Sequence, residues 1–236
     1  MLNQKTREVL GALGAINQSQ IISYPVTVVK MGKSIQAFLD VSSEAENGCQ
    51  EEEFDEFGVY VINELNSVIN VIDDPEITLD NRILTIKNDN SSVQYGTTQL
   101  EVIESEARGN PQVIDNVMNP ERNTKVLSFN LNNKELDRIK KMSGLLKNLS
   151  DLKIEAKDGE VTLTVTAKER SSNNFSVTID GEVGEELTML LLMDSINKLP
   201  SSDYKVHIFK SSKGSLVAVF ESEDVDGLRI LVSSKA

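Results

Sequence analysis

The residues that most often carry out chemistry are scarce in this sequence and do not form a recognisable active site. The 236 residues include one histidine, His207, and one cysteine, Cys49. His207 lies inside a strand pattern without an obvious metal or triad partner, so we interpret it as structural. Cys49 lies in a polar, acidic segment, and a lone cysteine forms no internal disulfide. We therefore expect no enzyme, no cofactor and no zinc site of the usual ligands within one chain.

Two short motifs are similar to ligand-binding loops but lack the residues that such loops need. Gly32-Lys33-Ser34 matches the end of a phosphate-binding loop, but the glycine required five positions upstream is Thr27, and no long helix follows. Asp224-Val225-Asp226-Gly227 matches part of a calcium loop. The first and last ligands of such a loop would be Ser222 and Ser233 rather than carboxylates, so we reject both sites.

A basic amphipathic helix is the most unusual feature of the sequence. Across residues 133–147, one face carries the apolar residues Leu136, Ile139, Met142 and Leu146. The opposite face carries Lys134, Arg138 and Lys141, with Lys140 and Lys147 at its flanks. The formal net charge of the whole chain is −13, so a helix face that carries only cations is unexpected. It is either an ordinary solvated helix face or a surface directed at an anionic partner.

Length and composition limit the remaining possibilities. With 236 residues, 39% hydrophobic and 5% aromatic, the chain can form one large domain or two small ones with aliphatic cores. The acidic balance argues against general adhesion to nucleic acid or to anionic membranes, so any DNA contact must be local. There is no apolar signal core at the start and no run of membrane-spanning length, and we expect an intracellular protein.

The order of predicted elements suggests an internal duplication. The same series of elements is predicted twice: a strand, a helix that ends before a proline, and a hairpin. The first series has its strand at 57–62 and its helix stop at Asp74-Pro75, and the second has its strand at 187–192 and its helix stop at Leu199-Pro200. Each half also opens with an earlier helix. We predict an α+β fold of two similar domains, each with helices on one face of antiparallel sheet. The predicted boundaries are 1–105 for the first domain, 106–125 for an irregular connector and 126–236 for the second domain.

With this order established, the chain resembles the DNA sliding clamps of T-even-type bacteriophages over nearly its whole length. The stretches that carry the resemblance are Leu10–Asn17, Phe57–Ile77, the basic helix with Asp151–Glu160, and Asn197–Val206 with its following hairpin. The resemblance implies a closed homotrimeric ring around double-stranded DNA, with helices lining the hole and adjacent subunits pairing through edge strands. It also implies tethering of DNA polymerase, placement by an ATP-driven clamp loader, and no catalytic role.

General physical arguments agree with that architecture. Ring closure covers sheet edges that would otherwise be open to aggregation. An acidic outer surface repels DNA while a basic lining attracts it, and lysine and arginine contacts to phosphates are blind to sequence. Such a protein would act in the cytoplasm of the host cell. The alternative from another class is a virion or scaffold protein that assembles through edge strands without touching DNA.

The site residues follow from the basic helix, its neighbours and the connector. We predict DNA contacts by Lys5, Arg7, Lys134, Arg138, Lys140, Lys141, Lys147 and Lys198. For each of them the alternative is a solvated cation. The second helix, near residue 66, offers asparagine rather than lysine. The resemblance implies capture of a short partner peptide near the connector, for which the candidates are Val113, Ile114, Val117, Leu228 and Ile230. For these the alternative is ordinary core packing.

Overall fold

The computed structural model describes residues 4–42, 53–103, 109–146, 149–167 and 173–235. The chain forms two compact units. The first consists of Met1–Gly32, Gln36–Pro111 and Val225–Leu228, and the second of Lys33–Ile35, Gln112–Asp224 and Arg229–Ala236. The change from the first unit to the second at Pro111 falls inside the predicted connector. Cys49 lies outside the described residues.

The first unit combines two helices with short antiparallel strands. Its elements are α1 (Gln4–Leu13), β1 (Gln20–Ile22), β2 (Val26–Met31), β3 (Ile35–Asp40), β4 (Phe57–Val59), α2 (Ile62–Ile69), β5 (Glu76–Asp80), β6 (Ile83–Lys87), β7 (Ser92–Gly96) and a 3₁₀ turn at Leu100–Val102. β1 pairs with β4, β2 lies beside β3, and β5, β6 and β7 form an antiparallel meander. α1 packs against α2.

Small residues allow the two helices of the first unit to approach closely. A Cβ added at Gly11 would lie 2.3 Å from the side-chain nitrogen of Asn66. At Gly14 it would lie 2.8 Å from the Ile62 side chain and 2.9 Å from a backbone oxygen. The apolar faces of both helices are buried, since Leu10, Leu13, Ile62, Leu65 and Ile69 are each at most 2% exposed. The close approach therefore requires glycine at position 14, whereas at position 11 the flexible end of the Asn66 side chain could move aside.

The second unit contains an antiparallel sheet with two helices packed against each other. Its elements are α3 (Gln112–Met118), β8 (Asn123–Leu131), α4 (Asn133–Leu145), β9 (Asp151–Lys157), β10 (Glu160–Thr166), β11 (Phe175–Val183), β12 (Leu187–Leu192), α5 (Met193–Asn197), β13 (Tyr204–Ser211), β14 (Leu216–Ser222) and β15 (Leu228–Ser233). The strand order is β12-β9-β10-β11-β8-β13-β14-β15. α4 contacts α5, β10 and β11. The predicted α+β class with antiparallel sheet is confirmed.

One helix of the second unit was predicted as irregular chain. α3 occupies Gln112–Met118, within the connector predicted at 106–125. Pro111 directly precedes the helix, where a proline favours a helix start because its φ angle is already helical. Ile114 is the buried residue of α3. The spacing of Val113 with Val117 and of Ile114 with Met118 is helical. A helix of seven residues is too short to stand out against two neighbouring prolines.

A candidate nucleic-acid interface on the basic helix

The first turn of α4 is fixed by hydrogen bonds to two side chains, those of Asn132 and Asp203. The side chain of Asn132 accepts a hydrogen bond from the backbone N–H of Glu135 at 2.9 Å, as an N-cap residue does. The backbone N–H of Asn133 donates to a carboxylate oxygen of Asp203 at 2.6 Å. These bonds satisfy N–H groups that a helix start leaves unpaired. They hold the basic helix in a fixed position at the end of β8.

The two faces of α4 separate apolar from cationic residues as expected. Leu136 and Ile139 are 0% exposed, while Met142 and Leu146 are half-buried. Lys134, Arg138 and Lys141 are all exposed. At 3.6 residues per turn, these three cations fall within an arc of about 60°. The helix therefore presents one narrow cationic stripe to solvent.

The three cations of the stripe differ in their surroundings. Within the described chain, neither Lys134 nor Lys141 has an ion-pair partner. Nη1 of Arg138 lies 3.7 Å from a carboxylate oxygen of Glu135. The Arg138 guanidinium also lies over the ring of Phe175, with its carbon 5.5 Å from the ring centroid. In the described chain the stripe thus combines two ammonium groups that lack an ion-pair partner with one guanidinium that has two neighbours.

Lys140 has a different environment from its neighbours on α4. Its Nζ donates to the backbone carbonyl oxygen of Leu199 at 2.6 Å, which links α4 to the chain after α5. Burial lowers the pKa of Lys140 below its usual 10.5, and Asp137 opposes that shift. The ammonium is therefore already engaged with a carbonyl, in contrast to those of Lys134 and Lys141.

We expect Lys140→Met to change how stability depends on alkaline pH. Because the folded pKa is lowered below 10.5, the unfolded chain binds more protons between the two pKa values, and stability from this group rises with pH there. The free energy of unfolding of the Lys140→Met variant should lack this increase between the two pKa values. Free energies of unfolding from urea titrations across the alkaline range measure it. An unchanged pH profile would contradict the described environment of Lys140.

The other predicted DNA-contacting residues are either less exposed than the α4 stripe or outside the part of the chain that the structure describes. Arg7 of α1 is half-buried, and Lys198 is half-buried with its Nζ 3.8 Å from a carboxylate oxygen of Asp194. Lys5 lies in α1, but its side chain falls outside the described part, as does Lys147 entirely. The candidate interface is therefore defined by the α4 stripe and not by these four residues.

The corresponding helices of the first unit present a surface that is not basic. A groove of about 700 Å³ runs between α1 and α2. Its polar lining includes Arg7, Glu8, Asn63, Asn66, Asn70, Asp73 and Asp74. The amide groups agree with the asparagine-rich face expected from the sequence. The positive charge of the candidate interface therefore belongs chiefly to α4.

The predicted partner-binding residues fall into two groups. Ile114, Leu228 and Ile230 are 1%, 2% and 0% exposed, so as placed they are part of the core. Val113 and Val117 are half-buried on α3. The sequence could not separate these groups, because strand and helix patterns alone do not show which apolar residue a neighbouring element covers.

α3 is held against the rest of the second unit by polar contacts at its middle and in its last turn. Nη1 of Arg229 lies 4.0 Å from a carboxylate oxygen of Asp115 and 3.9 Å from the sulfur of Met118. The side-chain amide of Asn123 donates to the carbonyl oxygens of Asn116 and Val117 at 2.9 and 3.0 Å. Those carbonyls lie in the last turn of a helix, where side-chain donors are favourable. The helix that carries Val113 and Val117 is therefore firmly attached.

A buried polar chain that the sequence did not reveal crosses three strands of the second unit. Ser128 Oγ lies 2.5 Å from His207 Nδ1, and His207 Nε2 lies 3.2 Å from a carboxylate oxygen of Glu221. The hydrogen bond to His207 lowers the pKa of Glu221, with Arg229 and Lys205 adding to the effect and burial opposing it. The partners of His207 were not obvious in the sequence, because strand register brings distant residues together. Ser128 is 4% exposed, so the arrangement is a structural network rather than an accessible nucleophile.

Within the described residues, no group of three or more His, Cys, Asp or Glu side chains could hold a metal ion. Among the helices of the described chain, none is long and apolar enough to cross a membrane.

A curated phage protein and a solved structure that match this chain agree with each other. No protein-family model matches the chain. A protein from Vibrio phage KVP40 named "Sliding clamp" is 26% identical over 215 residues, which cover 88% of this chain and 89% of the phage protein. The crystal structure of proliferating cellular nuclear antigen from Entamoeba histolytica matches with a TM-score of 0.67 and 16% identity, covering 98% of this chain and 94% of that one. The resemblance to phage sliding clamps is therefore confirmed: this chain is similar to a phage sliding clamp along most of its length and has the fold of proliferating cellular nuclear antigen.

Proposed function

We propose that this protein is a sliding clamp that encircles double-stranded DNA and tethers a replicative DNA polymerase for processive synthesis. It acts in the cytoplasm of a phage-infected host, is placed on DNA by a clamp loader, and performs no catalytic step itself. The observation that carries the proposal is the exposed cationic stripe of α4, formed by Lys134, Arg138 and Lys141, in a chain of net charge −13. A strongly acidic protein gains from such a stripe where it meets another polyanion.

The stripe suits sliding because its contacts would be to phosphates. Lysine and arginine attract phosphates at every position along a duplex, without reading the bases. We assign the main contacts to Lys134, Arg138 and Lys141. The remaining proposed contributors to the positive field are Lys5, Arg7, Lys140, Lys147 and Lys198. On the first unit, neutral asparagines would lie near DNA without strong attraction.

We propose that partner proteins dock beside α3. Val113 and Val117 offer half-exposed apolar surface on a helix that Arg229 and Asn123 hold in place. Ile114, Leu228 and Ile230 are buried and, as placed, would not contact a partner. A short apolar peptide from the polymerase or the loader is the kind of ligand that such a surface accepts.

Assembly into a homotrimer requires an open sheet edge, and β11 offers one. β11 pairs with β10 along residues 175–180, whereas β8 on the other side pairs only with residues 181–183. In the described chain, no strand covers residues 175–180 on the side away from β10. Open strands of this kind invite pairing with another chain. We therefore propose that a neighbouring subunit pairs there.

Val177→Lys tests this edge, because a lysine on an edge strand disfavours pairing with another chain. We expect the solution mass, measured by light scattering, to fall from three subunits towards one while the far-ultraviolet circular dichroism is unchanged. A matched control is Val71→Lys, since Val71 is 79% exposed and lies outside every strand of the described chain. A Val177→Lys protein that remains trimeric would contradict the assignment of β11.

Retention on circular DNA tests the function itself. The protein is loaded with its clamp loader onto nicked circular DNA, and retention at high salt is compared before and after the circle is cut. A ring held by topology stays on the circle and slides off the linear form, whereas a phosphate-binding protein leaves both as salt rises. Retention on neither form would contradict the clamp and favour a scaffold protein.

A further inference from the structure

Arg138 is the one cation of the α4 stripe that the structure restrains. Its side chain is 53% exposed, yet it has two neighbours on one side. Nη1 lies 3.7 Å from Glu135, and the guanidinium lies over the ring of Phe175 at 5.5 Å. A cation–π contact is electrostatic and takes up none of the N–H hydrogen-bond donors of a guanidinium. Most of the five donors of Arg138 therefore remain available to a ligand in front of the stripe.

Phe175 is placed so that it contacts α4 from the sheet below. It is the first residue of β11, lies opposite Val165 of β10, and is half-buried. Val165 is 0% exposed, and α4 packs on both β10 and β11. The aromatic ring therefore extends the buried floor beneath α4 to the open edge of β11. Its upper face is where the Arg138 guanidinium rests.

We propose that Phe175 is a positioning residue that orients Arg138 for a two-pronged contact with a DNA phosphate. The proposal rests on the assignment of the α4 stripe to DNA. A planar guanidinium matches two phosphate oxygens at once, and this match requires a fixed orientation. A side chain that is already oriented loses less freedom on binding. Lys134 and Lys141 lack such a support in the described chain, and an ammonium group acts as a point charge without a planar fork.

The salt dependence of duplex binding tests the proposal. The assembled protein is titrated with a short blunt duplex at several salt concentrations, and the slope of log affinity against log salt is measured. Arg138→Ala should lower the magnitude of the slope by about 0.9 per subunit, which is one phosphate contact. Phe175→Leu should lower it equally, and the double variant should lower it no further. Phe175→Tyr keeps an aromatic face and should retain the original slope.

Two controls keep the result interpretable. Phe175→Leu combined with Lys141→Ala should give additive losses, because Lys141 does not depend on Phe175. If Phe175→Leu alters the trimer mass, Phe175→Met replaces it as a second variant without a ring. A normal slope for Phe175→Leu, a normal slope for Arg138→Ala, or an additional loss in their double variant would each overturn the proposal. If the unaltered protein were not retained on circular DNA, the proposed clamp function would be overturned. The slopes of the variants would still show independently whether Phe175 orients Arg138.

Discussion

Replacing Lys134, Arg138 and Lys141 together by glutamate is expected to abolish processive synthesis while leaving the fold intact. The change turns an attractive stripe into a repulsive one and moves the formal net charge from −13 to −19, since each reversal changes it by two. Affinity for duplex DNA should fall roughly 100-fold or more at physiological salt. All three side chains are exposed, so stability should change little. Primer extension in the presence of loader and polymerase measures the effect, with circular dichroism as the check on folding.

A second triple variant controls for charge alone. Lys33, Lys157 and Lys213 are also exposed, lie on strands or turns rather than helices, and have no ion-pair partner in the described chain. Reversing these three changes the net charge by the same amount. We expect nearly normal processivity from this control. Equal loss in both triple variants, or normal processivity with the α4 triple, would show that the stripe has no special role.

Lys235→Ala is expected to destabilise the second unit by about 3 kcal/mol, because it leaves a buried carboxylate without its cation. Asp151 is 3% exposed in its side chain and accepts a hydrogen bond from Lys235 Nζ at 2.5 Å. Ser150 Oγ donates to the other carboxylate oxygen at 3.1 Å and would remain as a partial partner. Urea unfolding monitored by circular dichroism measures the loss.

Two further variants separate burial from simple pairing. Lys210 and Glu185 also form an ion pair at 2.5 Å, but their side chains are 38% and 49% exposed. Lys210→Ala should therefore cost no more than about 1 kcal/mol. Adding Asp151→Asn to Lys235→Ala should recover part of the lost stability, because the buried negative charge is removed. If Lys235→Ala and Lys210→Ala lowered the free energy of unfolding equally, burial of Asp151 would not explain the effect of Lys235→Ala.

Local patterns in the sequence were sufficient to predict α4 and its two faces. The predicted helix over 133–147 begins at Asn133, and the side chain of Asn132 caps it by accepting a hydrogen bond from the backbone N–H of Glu135 at 2.9 Å. The spacing of Leu136 and Ile139 predicts the buried face, and both are 0% exposed. These features depend on residues within one turn of each other. The sequence alone therefore identified the helix and its two faces, whereas the assignment of its cations to DNA stays a prediction.

Features that depend on distant residues could not be predicted in the same way. Ser128, His207 and Glu221 meet only because β8, β13 and β14 pair in a particular register. The carbonyl of Leu199 becomes a partner of Lys140 only after α4 and the chain following α5 pack together. Phe175 beneath Arg138 is a further example. Sequence patterns identify which residues face the core, but not which residue lies across the sheet.

Electron cryomicroscopy of the loaded protein on nicked duplex DNA would test the central claim most directly. The proposal predicts a closed ring of three subunits in which residues 133–145 of each subunit face the duplex, with Lys134, Arg138 and Lys141 nearest the phosphates. The acidic sheet surfaces would lie on the outside. A map in which α4 lies on the periphery, or in which no set of subunits encloses the DNA, would contradict the account.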